Sequence, residues 1–213
     1  MSDFIREIDE DLRRDRFEKL WRKYGIYALG VAVLIVLAVA GYAGWQRYSE
    51  SYRADRARQY ETVLQQIAGG DAKAADDLQA LADGGDGYAA LARLQAAALK
   101  AEAGDVAAAV AIYEQLAADG AADQQLRQLA VILLALHTAD TAAPDELAKR
   151  LQPITEAGNP WRYSALEITA VLAQRSGDAA KAQEILTGIA DDLDAPQGLR
   201  QRAVEMLAAL KKG

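Results

Sequence analysis

The chain has 213 residues, 52% of them hydrophobic and 26% charged, an ordinary balance that leaves room for one folded domain beyond an opening segment. It carries 24 basic and 31 acidic side chains, a net charge of −7, which excludes the basic stripe a general nucleic-acid binder presents to phosphate. It has no cysteine, so disulfides, thiolate metal sites, a cysteine nucleophile and a lipidated cysteine are excluded together.

Residues 1–23 are strongly charged. Ile5, Ile8 and Leu12 fall near one helix face, and Glu18 stands four residues before Arg22, so the segment has helical character. It reads as a solvated, positively charged flank, with a docking helix as the sharper alternative. Residues 24–45 then form an uncharged run of 22, mostly Ala, Val, Leu, Ile and Gly. At about 1.5 Å per residue this is roughly 32 Å, the thickness of a bilayer core. Trp21, Tyr24 and Tyr27 share one face at its start, and Tyr42, Trp45 and Tyr48 repeat that spacing at its end. Amphipathic rings settle at headgroup level, so two such clusters mark two interfaces.

The run therefore predicts a retained transmembrane helix. A cleaved signal has an apolar region of about 7–15 residues before its cleavage site. Here the small residues Ala38-Val39-Ala40 lie inside the run, and "LRRDRF" at 12–17 departs from a twin-arginine signal at Arg16. Basic residues number seven before the run (Arg6, Arg13, Arg14, Arg16, Lys19, Arg22, Lys23) and four in the comparable stretch after it (Arg47, Arg53, Arg56, Arg58). The excess predicts a cytoplasmic N-terminus and a C-terminal part across the membrane. Ala28/Ala32 and Ala40/Gly44 are small-residue pairs of the kind that let membrane helices approach.

After Arg47 the chain turns to Ala, Leu, Gln, Glu, Lys and Arg with an apolar period of three to four, and no β-branched strand run appears. Short breakers recur between segments of about 10–20 residues. Two segments match: "LQAAALKAEAGDVAAAVAIYEQLA" and "LEITAVLAQRSGDAAKAQEILTGIA". Each has a small residue in its first helix (Ala97, Ala170), then Gly-Asp (Gly104-Asp105, Gly177-Asp178). An alanine follows the aspartate (Ala109, Ala182), then a larger apolar residue (Tyr113, Leu186). Glycine ends one helix in a left-handed conformation, and aspartate caps the next. The step from Gly104 to Gly177 is close to twice the tetratricopeptide period of about 34 residues. Four hairpins are expected, over residues 47–83, 87–119, 123–153 and 159–192, closed by a capping helix at 197–212. Asn159-Pro160 is expected to start a helix, with Asn as cap and Pro at the first helical position. Trp161 is expected at a junction of two hairpins, with a ligand-stacking tryptophan as the sharper alternative.

The fold class expected is all-α: a single N-terminal transmembrane helix followed by a tetratricopeptide-like hairpin solenoid. The organisation expected is a cytoplasmic segment 1–23, a membrane helix 24–45 and a periplasmic domain 46–213. The chain shows no phosphate-binding glycine loop, nucleophile elbow or metal-spaced cluster. Its only histidine, His137, has Asp140 as the nearest acid in sequence and reads as structural or surface-exposed. Asp76-Asp77 and Asp191-Asp192 read as solvated caps at helix ends, with acid–base pairs as the sharper alternative. Neither catalytic, cofactor-binding nor metal-binding residues are assigned, and no enzyme activity, small-molecule substrate or nucleic-acid partner is expected. The face that binds a partner is left unassigned.

The basic flank, "YGIYALGVAVLIVLAVAGYAGWQRY", "GYAALARLQAAALKAEAGD" and the later "SGDAAKAQ" together resemble the YfgM-like family, over nearly the whole chain. The resemblance implies a bitopic inner-membrane protein with a periplasmic repeat domain. It implies an ancillary subunit of the SecYEG translocon, with periplasmic chaperones or nascent secretory proteins as partners. The long charged N-terminal segment resembles an alphaproteobacterial-type version. The alternative is a membrane-anchored scaffold for another envelope assembly, such as cell division, cytochrome maturation or outer-membrane biogenesis. An enzyme with a pocket around His137 and a cleaved periplasmic binding module are two further readings.

Overall fold

The computed structural model describes residues 2–71, 73–85 and 87–210, with side chains described from Arg22 onward except at 25, 28 and 32. The Ile5, Ile8 and Leu12 face, Glu18, Trp21, the Ala28/Ala32 pair and Lys212 lie outside those limits. Every regular element among the described residues is helical. The chain divides into two compact units, residues 1–57 and 58–213.

The first unit consists of the greater part of α1 (Ser2–Gly69). No proline interrupts this helix. It contains a stretch long and apolar enough to cross a membrane, and none of that stretch is buried within the protein. Leu34, Val36 and Trp45 are exposed by 66%, 65% and 71%. In water such a surface would be costly at about 25 cal/mol per Å². A core helix of a soluble protein is mostly buried, and this one is not.

The second unit begins with the last turns of α1. It continues through α2 (Ala74–Ala82), α3 (Gly87–Glu102), α4 (Val106–Ala118), α5 (Gln124–Thr138), α6 (Pro144–Leu151), α7 (Arg162–Arg175), α8 (Ala179–Asp191) and α9 (Gln197–Leu210). A 3-10 turn, Gln152–Ile154, extends α6. Helices pack chiefly on their neighbours in the chain, α2 on α3, α3 on α4, α4 on α5, α7 on α8 and α8 on α9, with α6 against α7; α5 and α6 touch only lightly.

Local chemistry sets the turns. Gly104 and Gly177 have φ of 83° and 84°, the left-handed region that costs a residue with a Cβ about 1–2 kcal/mol. The amides that follow close the same motif, Asp105 N–H to the Lys100 carbonyl and Asp178 N–H to the Ala173 carbonyl, both 2.9 Å. Asp105 then accepts from the Ala108 amide (3.1 Å) and Asp178 from the Lys181 amide (3.0 Å), capping α4 and α8. A third copy precedes them: Gly70 is left-handed at 71°, Asp71 N–H bonds the Gln66 carbonyl, and Asp71 accepts from the Lys73 amide.

Alanine makes the close crossings. Ala97, Ala109 and Ala182 are fully buried, Ala170 nearly so, and Tyr113 and Leu186 fill the next turn of the second helix at 2% and 1% exposure. One cluster runs from α3 through α7. A second joins Tyr60, Val63 and Ile67 of α1 to Leu78, Leu81 and Ala92. A third joins α7, α8 and α9 through Leu186, Ile189 and Ala203.

The Asn159-Pro160 expectation needs correction. The helix starts at Arg162, with Trp161 in the N-cap place. The Asn159 side-chain oxygen is taken by the Trp161 amide (2.9 Å) and the Asn159 carbonyl by the Arg162 amide (3.1 Å), so a separate turn precedes α7. Trp161 lies between two hairpins, its Nε1 donating to the Gln125 carbonyl at the start of α5 (3.0 Å).

Candidate functional site

The hairpins stack unevenly. Each has a leading helix (the end of α1, α3, α5, α7, with α9 beginning a further unit) and a following helix (α2, α4, α6, α8). Leading helices of successive units touch: α3 meets α5, α5 meets α7 and α7 meets α9. The following helices have no comparable packing on one another among the described residues. The array is therefore tight along its leading helices and splayed along its following ones.

Two of the splayed intervals are open grooves. The first, about 390 Å³, lies over α3 between α2 and α4. The second, about 520 Å³, lies over α7 between α6 and α8. They are copies in register. Gln79, Ala82, Arg93, Ala96 and Ile112 of the first correspond to Gln152, Thr155, Leu166, Thr169 and Ile185 of the second, each displaced by the same step that separates Gly104 from Gly177. The interval between them is bridged, since Arg150 on α6 makes a two-pronged ion pair with Glu114 on α4 (2.5 and 2.8 Å). That pair holds the Glu114 carboxyl below its ordinary range, first through the Arg150 hydrogen bond.

Arginines pin the hairpins at their ends. Arg93 donates from Nε to the Ala82 carbonyl at the end of α2 (3.0 Å) and from its guanidinium to Asp119 after α4 (2.5 Å). Arg162 does the same for the last hairpin, with the Thr155 carbonyl (3.3 Å) and Asp192 after α8 (3.4 Å). The Tyr163 hydroxyl adds a bond to Asp192 at 2.8 Å, which raises the Tyr163 pKa. Arg202 on α9 pairs with Glu167 on α7 (2.7 and 2.9 Å). Arg175 donates to the carbonyls of Ala139 and Ala142 in the turn before α6.

Asp119 and Asp192 sit where a helix dipole disfavours negative charge. Each is compensated first by a backbone amide two residues on, Ala121 or Asp194, both at 2.9 Å, and then by its side-chain partners. Both carboxyls are held below the usual aspartate range. Asp192 is thus the helix-end cap its sequence suggests, held by side-chain and backbone bonds as well as by solvent. Asp76 and Asp77 stand in the first turn of α2, where the dipole favours them, and Asp77 accepts from Gln66. His137 is exposed and lies flat against the Tyr113 ring, with centroids 5.8 Å apart and planes 13° apart. No group of three or more metal-ligating side chains occurs among the described residues.

Paired helices of this length, turned on Gly-Asp and stacked in register, define an all-α repeat protein of the interaction-scaffold class. The chain belongs to the tetratricopeptide repeat-like domain family, whose model matches residues 18–207 and so takes in the apolar run as well as the hairpins. No curated protein and no solved structure gives a significant match to it. Repeat domains of this kind are typically non-catalytic scaffolds for protein–protein contact.

Proposed function

We propose that the chain is a bitopic inner-membrane interaction module of the YfgM-like type. Residues 1–23 lie in the cytoplasm, residues 24–45 cross the membrane, and residues 46–213 form the periplasmic repeat domain. In this reading it is an ancillary subunit of the SecYEG translocon, passing emerging secretory proteins to periplasmic chaperones. The observation that carries it is the unburied apolar stretch of α1, in the same helix as Tyr60, Val63 and Ile67 of the first hairpin. A repeat domain tethered this way meets its partners at high local concentration, so modest affinity suffices. The seven-to-four excess of basic residues supports the orientation.

In-cell crosslinking of the tagged full-length chain, followed by mild-detergent purification and mass spectrometry, tests this. Crosslinks from residues 24–45 to translocon subunits, with chaperones on the repeat domain, are the expected result. Recovery of a different envelope complex, with the translocon at background, would move the chain to scaffolding that complex.

A further inference from the structure

The two open grooves share a register and differ in charge. The first is lined by one cation, Arg93, and two acids, Asp83 and Asp119, and its arginine is already bonded to Ala82 and Asp119. In the second, Leu166 stands where the first has Arg93, so the floor loses its charge: Leu166 lies there with Thr169, whose hydroxyl is bonded to the Ala165 carbonyl, and Ile185 and Ala148 are beside it. Two lysines border it, Lys149 on α6 and Lys181 on α8, against one acid, Asp145.

We propose that the groove between α6 and α8 docks an acidic protein segment, with Lys149 and Lys181 as its cationic contacts. The inference rests on the reading of the domain as an interaction scaffold and holds for any envelope complex it serves.

Three observations support it. In the hairpins around this groove Arg150, Arg162, Arg175 and Arg202 all have oxygen partners. Lys149 and Lys181 have no ion-pair partner among the described residues, although acids outnumber bases in the chain 31 to 24. The two lysines sit on separate helices bordering one uncharged floor. That arrangement suits two carboxylates flanking an apolar side chain, which Leu166 and Ile185 would receive. In the neighbouring interval the cation is already used, because Arg150 is bonded to Glu114 across it. A lipid surface fits less well, since recognition of anionic headgroups takes clusters of about 4–8 basic residues. Nucleic acid fits less well too, since its binding rests on many phosphate contacts from Lys and Arg, and two lysines in an acidic chain supply few.

The test uses the full chain in zwitterionic detergent micelles and two rhodamine-labelled peptides. One repeats Glu-Leu-Gly-Glu three times; the other has Gln for every Glu. Fluorescence anisotropy at low salt should show the acidic peptide binding about tenfold tighter than the neutral one, with the difference shrinking at high salt. The double substitution Lys149→Gln with Lys181→Gln should weaken acidic-peptide binding about five- to tenfold and leave the helical circular dichroism unchanged, because both side chains are exposed. Lys100→Gln, on the exposed surface of α3, should leave binding as it was. Equal binding of the two peptides, or a double variant that binds like the parent, overturns the proposal. So does lysine-dependent capture of phosphatidylglycerol vesicles without peptide binding, which would assign the lysines to lipid. Partner identity from crosslinking is read separately and does not change with any of these results.

Discussion

Asp119 and Asp192 close two hairpins at equivalent places in the repeat, and each holds an arginine that also grips the hairpin before it. The arginines are not in the same register. Shifted by the step that carries Asp119 onto Asp192, Arg93 falls on Leu166, one helical turn beyond Arg162. Two side chains from successive turns of a leading helix thus reach equivalent acids. The displaced arginine leaves Leu166 on the floor of the second groove, which is how one repeat plan yields two grooves of different character.

Acid should loosen these clasps. Both aspartates are held below their ordinary range in the folded chain, Asp119 chiefly by the Ala121 amide and Arg93, Asp192 chiefly by the Asp194 amide and Tyr163. A carboxyl depressed on folding contributes stability that is full above its unfolded pKa, about 4, and is lost as pH falls through its folded value. The thermal midpoint of the wild-type chain should therefore drop below about pH 4. Asp119→Asn with Asp192→Asn should lower the midpoint at neutral pH and flatten the acid-side fall. Scanning calorimetry from neutral pH down into the range where both carboxyls protonate compares the slopes; parallel curves for the two chains would show that these acids are not the cause.

The same substitution should have opposite signs at two glycines. At Gly104 a Cβ meets nothing within 4 Å, so Gly104→Ala is penalised only through its left-handed backbone, by about 1 kcal/mol or more. Gly188 lies inside α8 without positive φ and also has open space at Cβ. Gly188→Ala should stabilise the chain by about 0.5–1 kcal/mol through helix propensity. Urea unfolding of the two variants measures both, and a shift of the same sign in both would contradict this account of the turn.

The Arg150–Glu114 pair should matter more for spacing than for stability. Its partners are 38% and 47% exposed, so solvent screens the attraction and a double-mutant cycle should give a coupling of only about 0.2–1 kcal/mol. Glu114→Gln should raise amide exchange in α6 above that in α5, because α6 loses its tie to α4 while α5 keeps its place in the core. Unchanged exchange in α6 would mean that packing through α5 alone sets the interval.

What was legible in the sequence was what depends on near neighbours. Gly104-Asp105 and Gly177-Asp178 specify their turns through bonds to the preceding helix turn alone, and Ala97, Ala109, Tyr113 and their copies follow from helical period. Gly70-Asp71 carries the same signal one repeat period before Gly104-Asp105, with Ala75 in the place of Ala109, but Val63 stands where Ala97 does and Gln79 where Tyr113 does, so the match to the two long segments is broken. Asn159-Pro160 misplaces the helix start because the Asn159 side chain engages the Trp161 amide and forms its own turn ahead of Arg162. The grooves were not legible, since they exist only through the splay of α2, α4, α6 and α8. Nor were the arginine clasps, because their register slips by one turn between hairpins.

Truncation separates the role of the apolar stretch from that of the rest of α1. Tyr60, Val63 and Ile67 pack with Leu78, Leu81 and Ala92 in a cluster distinct from the one that spans α3 to α7. A fragment of residues 46–213 keeps this cluster and lacks the unburied apolar window, so it should be soluble, helical and absent from membrane fractions. A fragment of residues 74–213 loses all three side chains. Val63 is buried and Tyr60 and Ile67 partly so; a fully buried aliphatic side chain contributes about 1.5–3 kcal/mol, so the loss is appreciable against a domain stability of about 5–15 kcal/mol. It also uncovers Leu78 and Leu81, which are 1% and 4% exposed in the intact chain. Because the larger cluster does not include α2, the loss should be local. Hydrogen exchange should find α2 unprotected and α5 to α8 still protected in the shorter fragment. Uniform loss of protection would show that the hairpins fold as one cooperative block, whereas membrane association of the 46–213 fragment would count against the apolar stretch as the sole tether.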